Sequence, residues 1–248
     1  MEKKQLIFGT RAVTEAIRAG RDLDRIYIQS GLSNDLIKDL IREARAAGVS
    51  YSFAPPQKLA TFSGKNHQGV VALLSEVHFE SLENIIHDLF SKAEDPFILV
   101  LDRITDVRNF GAMVRTAESA GVDAILIPDK GNAPLSADAM KTSAGALNYV
   151  PVCRTPDLRR TIRELKNSGL QVVACTEKAG HLVYEAALKG PLAVIMGSEE
   201  DGITPELLRE ADALVRIPMH GKIQSLNVSV AAGIILYEAV RQRRPEMG

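Results

Sequence analysis

The chain has 248 residues, 46% of them hydrophobic and 25% charged, which is the composition of an ordinary globular protein with room for one large domain or two moderate ones. The N-terminus, Met1–Phe8, lacks the apolar core of a signal peptide and no apolar run is long enough for a bilayer, so the expectation is a cytoplasmic protein with no membrane partner. A net charge of −1 does not by itself point to nucleic acid, and Cys153 and Cys175, each in an apolar run without metal or redox spacing, read as buried, reduced thiols.

From the N-terminus, Arg11–Ala19 reads as a helix, Arg25–Ile28 as a strand and Asp35–Ala47 as an amphipathic helix, with Val49–Phe53 and Gly69–Leu74 completing a small α/β unit. Charge then changes abruptly. Residues 1–79 hold 11 Lys/Arg against 8 Asp/Glu, whereas residues 80–95 hold 1 against 5 and residues 96–248 balance at 18 each. The acidic stretch Glu80–Asp95 ends at Pro96 and is read as a partly helical linker between a first domain, 1–79, and a second, 96–248. Beyond it, strands at Phe97–Leu101, Ala124–Ile127, Val150–Val152, Gln171–Cys175, Leu192–Met196 and Ala213–Arg216 alternate with helices. That alternation predicts a mostly parallel sheet covered on both faces.

Several chemistries lack their residues. No GxGxxG follows a strand, and there is no GxxxxGK[ST] loop, GxSxG elbow or HExxH helix. The five histidines, His67, His78, His87, His181 and His220, have no ligand spacing, so no metal is expected.

Three polar clusters follow apolar strands. The first, Asp102–Ala117, offers Asn109 as a helix cap, Gly111 as a place of close approach for backbone or ligand, and Arg115 among small and apolar neighbours. A snorkelling arginine and an anion-binding one are equally compatible with that pattern. In the second, Met196–Pro205, a turn and a cap by Thr204 account for Thr204 and Pro205 but not for Gly197 or the acids, of which Glu199 lies nearest the strand end. The third, Ile217–Gly233, runs through a glycine-containing loop that delivers Ser225 and Asn227 to the start of a small-residue, apolar helix. Together they predict one site at the strand ends of an α/β sheet, suited to transfer between two bound substrates by positioning and electrostatics.

In this order, the clusters resemble the motifs of the SpoU/TrmH family of RNA ribose 2′-O-methyltransferases: N-x-G-x-x-x-R-T-A, then M-G-x-E-x-x-G, then I-P-M-x-G-x-x-x-S-L-N-V-S-x-A. Every fixed position is matched over about the last 150 residues. One departure is that Asp106-Val107-Arg108-Asn109-Phe110-Gly111 stands where the family often has D-P-x-N-L-G. The resemblance implies a trefoil-knotted α/β sheet, an obligate homodimer and S-adenosylmethionine as methyl donor. It implies that Gly197, Ile217, Met219 and Leu226 hold that cofactor, and that Asn109, Arg115, Glu199, Ser225 and Asn227 line the reaction centre. The family assigns Arg115 as the base. Because a guanidinium stays protonated in proteins, the role expected here is stabilising the 2′-alkoxide and gripping a phosphate. Phe8–Ile17 and Asn66–Ala72 are similar to the L30e-like, RNA-binding domain of family members that methylate a guanosine of 23S ribosomal RNA, which makes that RNA the expected partner. Transfer RNA is the alternative substrate, and a non-catalytic RNA-binding protein the rival reading.

Overall fold

Apolar runs without alternation become strands buried on both faces, and here they form the centre of the larger of two sheets. The computed structural model describes residues 6–62, 67–75, 77–223 and 225–243. Met1–Gln5, Asn66 and Gln224, which fall in stretches singled out in the sequence, lie outside them. The chain divides into two units, Met1–His78 and Phe79–Gly248.

In the first unit, β1 (Leu6–Phe8), α1 (Thr10–Arg18), β2 (Leu23–Gln29), α2 (Asp35–Ala46), β3 (Tyr51–Ala54), α3 (Pro56–Ala60) and β4 (Val70–Leu74) build a mixed sheet ordered β1-β4-β2-β3. Strand β4 is antiparallel to β1 and β2, while β2 and β3 run parallel. Its residues alternate between two cores: Val70 and Ala72 join Val13, Ile17, Ile37 and Leu40 of the helices, and Val71 joins Leu59 of α3. Asn34 caps α2 by accepting from the Ile37 amide at 3.0 Å. Gly69, at φ +77°, holds a conformation that favours glycine, and a Cβ there would also push the end of the Leu32 side chain aside.

The second unit carries β5 (Phe79–Glu80), α4 (Leu82–Ser91), β6 (Phe97–Asp102), α5 (Val107–Ser119), β7 (Ala124–Pro128), α6 (Ala137–Thr142), β8 (Val152–Thr155), α7 (Leu158–Asn167), β9 (Gln171–Cys175), β10 (His181–Leu182), β11 (Leu192–Gly197), α8 (Pro205–Glu210), β12 (Ala213–Arg216) and α9 (Val228–Arg243). Its eight strands are ordered β10-β12-β9-β11-β6-β7-β8-β5, and every pairing is parallel. Ile98, Val100, Leu126, Val172 and Ile195 face α4, α7 and α8, in a core with Ile86, Ile162 and Leu207. The alternate residues Leu99, Ile125, Val173 and Val194 are equally buried, and α9 packs on β11 and α5. Fully burying side chains of this size contributes about 1.5–3 kcal/mol each, so this sheet is the stable platform beneath the site.

The segment expected as a linker is partly built into this unit. β5 pairs in parallel with β8, and Ile86 of α4 sits in the core. Among the described residues, no helix is long and apolar enough to cross a membrane.

Candidate active site

Two aspartates close the N-terminal edge of the sheet: Asp123 accepts from the Phe97 amide at 2.7 Å and Asp212 from the Val172 amide at 2.8 Å. The opposite edge is open. Sequence runs from β6 through β7 to β8 on one side, while β11 inserts between β6 and β9, so the chain reverses direction across the sheet at the β6–β11 pair. Ligands bind at such switch points, beyond the carboxyl ends of the strands. A cavity of about 510 Å³ lies there, lined by residues that include Cys175, Gly197, Ile217, Ser225 and Leu226. A second, of about 300 Å³, is lined by Arg103, Asp106, Asn109 and Glu199 among others.

Glu199 joins three segments far apart in sequence. One carboxylate oxygen accepts from Asn109 Nδ2 at 2.9 Å and the other from Asn227 Nδ2 at 3.1 Å. Asn227 Nδ2 also donates to Asn109 Oδ1 at 2.9 Å, closing the triangle. The side-chain oxygen of Asn227 accepts from the Ser229 amide at 2.9 Å and so caps α9. The start of the last helix is thereby locked to the first turn of α5 and to the turn that follows β11.

Of the residues expected from the sequence, Gly197, Glu199, Ile217, Met219, Ser225, Leu226 and Asn227 all line the larger cavity, and Asn109 lines the second. Arg115 lines neither. It is exposed on α5, and its guanidinium has no partner among the described residues.

Local readings need correction. Asn109 does not cap α5. Asp106 does, accepting from the Arg108 and Asn109 amides at 2.9 and 2.8 Å, which leaves the Asn109 side chain free for Glu199. Val107 takes the first helical position, where the family often has proline, and its carbonyl accepts from Thr142 Oγ1 at 3.1 Å. Gly111 makes room for Thr142 of α6, whose hydroxyl a Cβ would meet at 2.1 Å, and not for a ligand. At Gly197 a Cβ would lie 2.2 Å from the Gly202 carbonyl carbon, so this glycine first serves the turn that follows it. Thr204 precedes α8 but turns its hydroxyl to Asp102.

Sequence reasoning missed the loop after β9, where Thr176, Glu177 and Lys178 line the cavity, and the roles of Asp102 and of Arg103, which lines the second cavity. An acid closing an otherwise apolar strand was the available signal for Asp102. Cys175, read from the sequence as buried, is only half-buried and lines the cavity; desolvation pushes its thiol up to about 12, which disfavours the thiolate a nucleophile needs.

Comparison with known proteins defines the class. The pattern of the SpoU rRNA methylase family matches residues 96–237, and that of the RNA 2′-O ribose methyltransferase substrate-binding domain matches residues 6–80. The chain belongs to the SpoU rRNA methylase family. It is 39% identical over 243 residues to the 23S rRNA (guanosine-2′-O-)-methyltransferase RlmB of Vibrio parahaemolyticus, covering 96% of this chain and 97% of that protein. Among solved structures, an AdoMet-bound rRNA methyltransferase from Sinorhizobium meliloti matches with a TM-score of 0.61 at 27% identity, over 95% of this chain and 86% of that one. The SpoU methyltransferase AviRb from Streptomyces viridochromogenes, in complex with AdoMet, matches with a TM-score of 0.60 at 25% identity, over 96% and 89% of the two chains.

Proposed function

We propose that this chain transfers the methyl group of S-adenosylmethionine to the ribose 2′-oxygen of a guanosine in 23S ribosomal RNA. The observation that carries the reading is the Asn109–Glu199–Asn227 triangle at the rim of a cavity of about 510 Å³, within the roughly 300–1,000 Å³ range of small-molecule sites. Polar groups and strand-end backbone share that cavity with Met196, Ile217 and Leu226, a donor set that suits a ligand with both polar and apolar parts. When bound, the cofactor supplies an electrophilic methyl on a positively charged sulfur.

Gly197, Ile217, Met219 and Leu226 hold the cofactor in this reading. Asn109 and Asn227 fix the Glu199 carboxylate, so the loops meet the substrates already ordered and little reorganisation remains at the moment of transfer. Ser225, exposed at the cavity, and Asn227 orient the reacting groups. Arg115 stabilises the developing alkoxide and grips a neighbouring phosphate. A guanidinium that lines neither cavity of its own chain is brought to a reaction centre by the RNA or by a second copy, and the functional form is a homodimer. The first unit captures RNA, and the cytoplasm is where ribosomal RNA is met.

The deciding experiment incubates the purified chain and a fragment of residues 79–248 with labelled S-adenosylmethionine and 23S ribosomal RNA, then maps the methylated riboses. The whole chain should bind the cofactor and modify a guanosine. The fragment should bind the cofactor but lose most RNA methylation. Absence of cofactor binding by the whole chain would refute the reading, and equal methylation by the fragment would remove the role of the first unit.

A further inference from the structure

Arg103 holds a backbone conformation foreign to its type, with φ at +59° in the left-handed region that disfavours residues carrying a Cβ. It follows Asp102, the last residue of β6, which lies in register with Gly197 and whose carboxylate is almost fully buried. All three guanidinium nitrogens find acceptors. Nε donates to Asp102 Oδ1 at 3.1 Å, Nη1 to Asp201 Oδ2 at 3.1 Å and Nη2 to the Gly202 carbonyl at 3.2 Å. The second oxygen of Asp102 accepts from the amide and hydroxyl of Thr204 at 2.7 and 2.6 Å. Arg103 therefore grips the turn Ser198–Gly202 on its far side, while Asp102 fixes Thr204, two residues beyond it.

That turn holds Glu199. Within it, Ser198 and Gly202 exchange backbone hydrogen bonds at 3.1 and 3.0 Å, and Ser198 Oγ accepts from the Asp201 amide at 3.1 Å. These bonds close the turn on itself but do not fix its direction relative to β6. The planar fork of Arg103 does, because its acceptors sit on two consecutive residues of the turn and on the strand end. We propose that Arg103 is a positioning residue: it sets the Ser198–Gly202 turn so that the Glu199 carboxylate meets Asn109 and Asn227. The strained backbone is retained because it aims the fork at the turn.

The test separates fork from backbone. Arg103→Gly suits φ +59° without strain but leaves the buried Asp102 carboxylate without its partner, so the variant should fold with a thermal stability somewhat below that of the wild type. Exchange of the Ser198 and Gly202 amides in the cofactor-free protein should accelerate, and the Kd for S-adenosylmethionine should weaken, each on the order of tenfold or more, the scale of a lost charge-assisted hydrogen bond. Arg103→Lys keeps the charge but cannot reach three acceptors and should not restore either quantity. Wild-type exchange rates in Arg103→Gly, or full recovery in Arg103→Lys, would overturn the proposal. The cofactor readout rests on the methyltransferase reading, whereas amide exchange does not. A wild-type protein that binds no S-adenosylmethionine would sink that reading and leave the exchange data to decide on Arg103.

Discussion

Arg115 sits between the buried Val114 and the half-buried Thr116, yet is itself exposed. A charge in that setting with no partner among the described residues is either idle or held for an anion. If it stabilises the 2′-alkoxide, Arg115→Ala should lower the single-turnover methylation rate by about 10²–10³-fold, the usual effect of removing one charge-stabilising donor, with cofactor affinity unchanged. Arg115→Lys should recover little, since a point charge does not reproduce the planar fork. A lysine variant with a near-wild-type rate would show the arginine to be idle. The same contrast runs through the glycines. Gly111 and Gly197 are visible in the sequence as places where a side chain cannot go, but the cause of each is a neighbour, Thr142 or Gly202, that no local pattern names. Residue type marks a constraint, and only the fold says what imposes it.

Helices α7 and α8 are joined by Glu210, whose carboxylate accepts from Arg163 Nη2 at 2.6 Å and from Arg159 Nε at 2.7 Å. These hydrogen bonds, first from Arg163 and then from Arg159, lower its pKa from 4.5 to about 2. A depressed carboxylate stabilises the fold above its unfolded value and loses that contribution as pH falls through the folded one. The clamp should thus act fully above about pH 4.5 and fade towards pH 2. Denaturant titrations across this window should show wild-type stability falling more steeply than that of Glu210→Gln; parallel curves would mean the clamp adds nothing. Elements of this kind were partly legible. The runs at Phe97, Gln171 and Leu192 became β6, β9 and β11 because an unbroken apolar stretch between turns has few other fates. The run at Val150–Val152 became β8 two residues later, Val152–Thr155, carrying Arg154 into the ladder beside Ile127, which composition does not foretell. β5 and β10 have two residues each, too short for any period, so neither is legible as a strand in the sequence. The motifs gave the site's order along the chain. The Glu199 triangle depends on side-chain geometry across strands, which spacing does not encode.

At the scale of the molecule, α9 presents Val230 and Tyr237, each 50% exposed and seven residues apart, on one side of a helix whose other side packs on α5 and β11. For the homodimer proposed above, this is the face on which a second copy of the chain is expected to pack. Val230→Glu combined with Tyr237→Glu should convert the dimer to a folded monomer in sedimentation equilibrium and depress methylation. A wild-type protein that sediments as an active monomer defeats the idea. The position of β11 has a consequence for how this chain is made. β6, β7 and β8 are complete once Thr155 has emerged, but the strand that covers the free side of β6 ends only at Gly197. At ~5–20 residues per second the ribosome needs roughly 2–8 s to supply it. Throughout that interval β6 offers an apolar strand with an unpaired edge, a template for any other nascent chain. Slower elongation through residues 156–197 would lengthen the exposure, so the yield of soluble protein is expected to fall with translation speed there, whatever the stability of the finished fold.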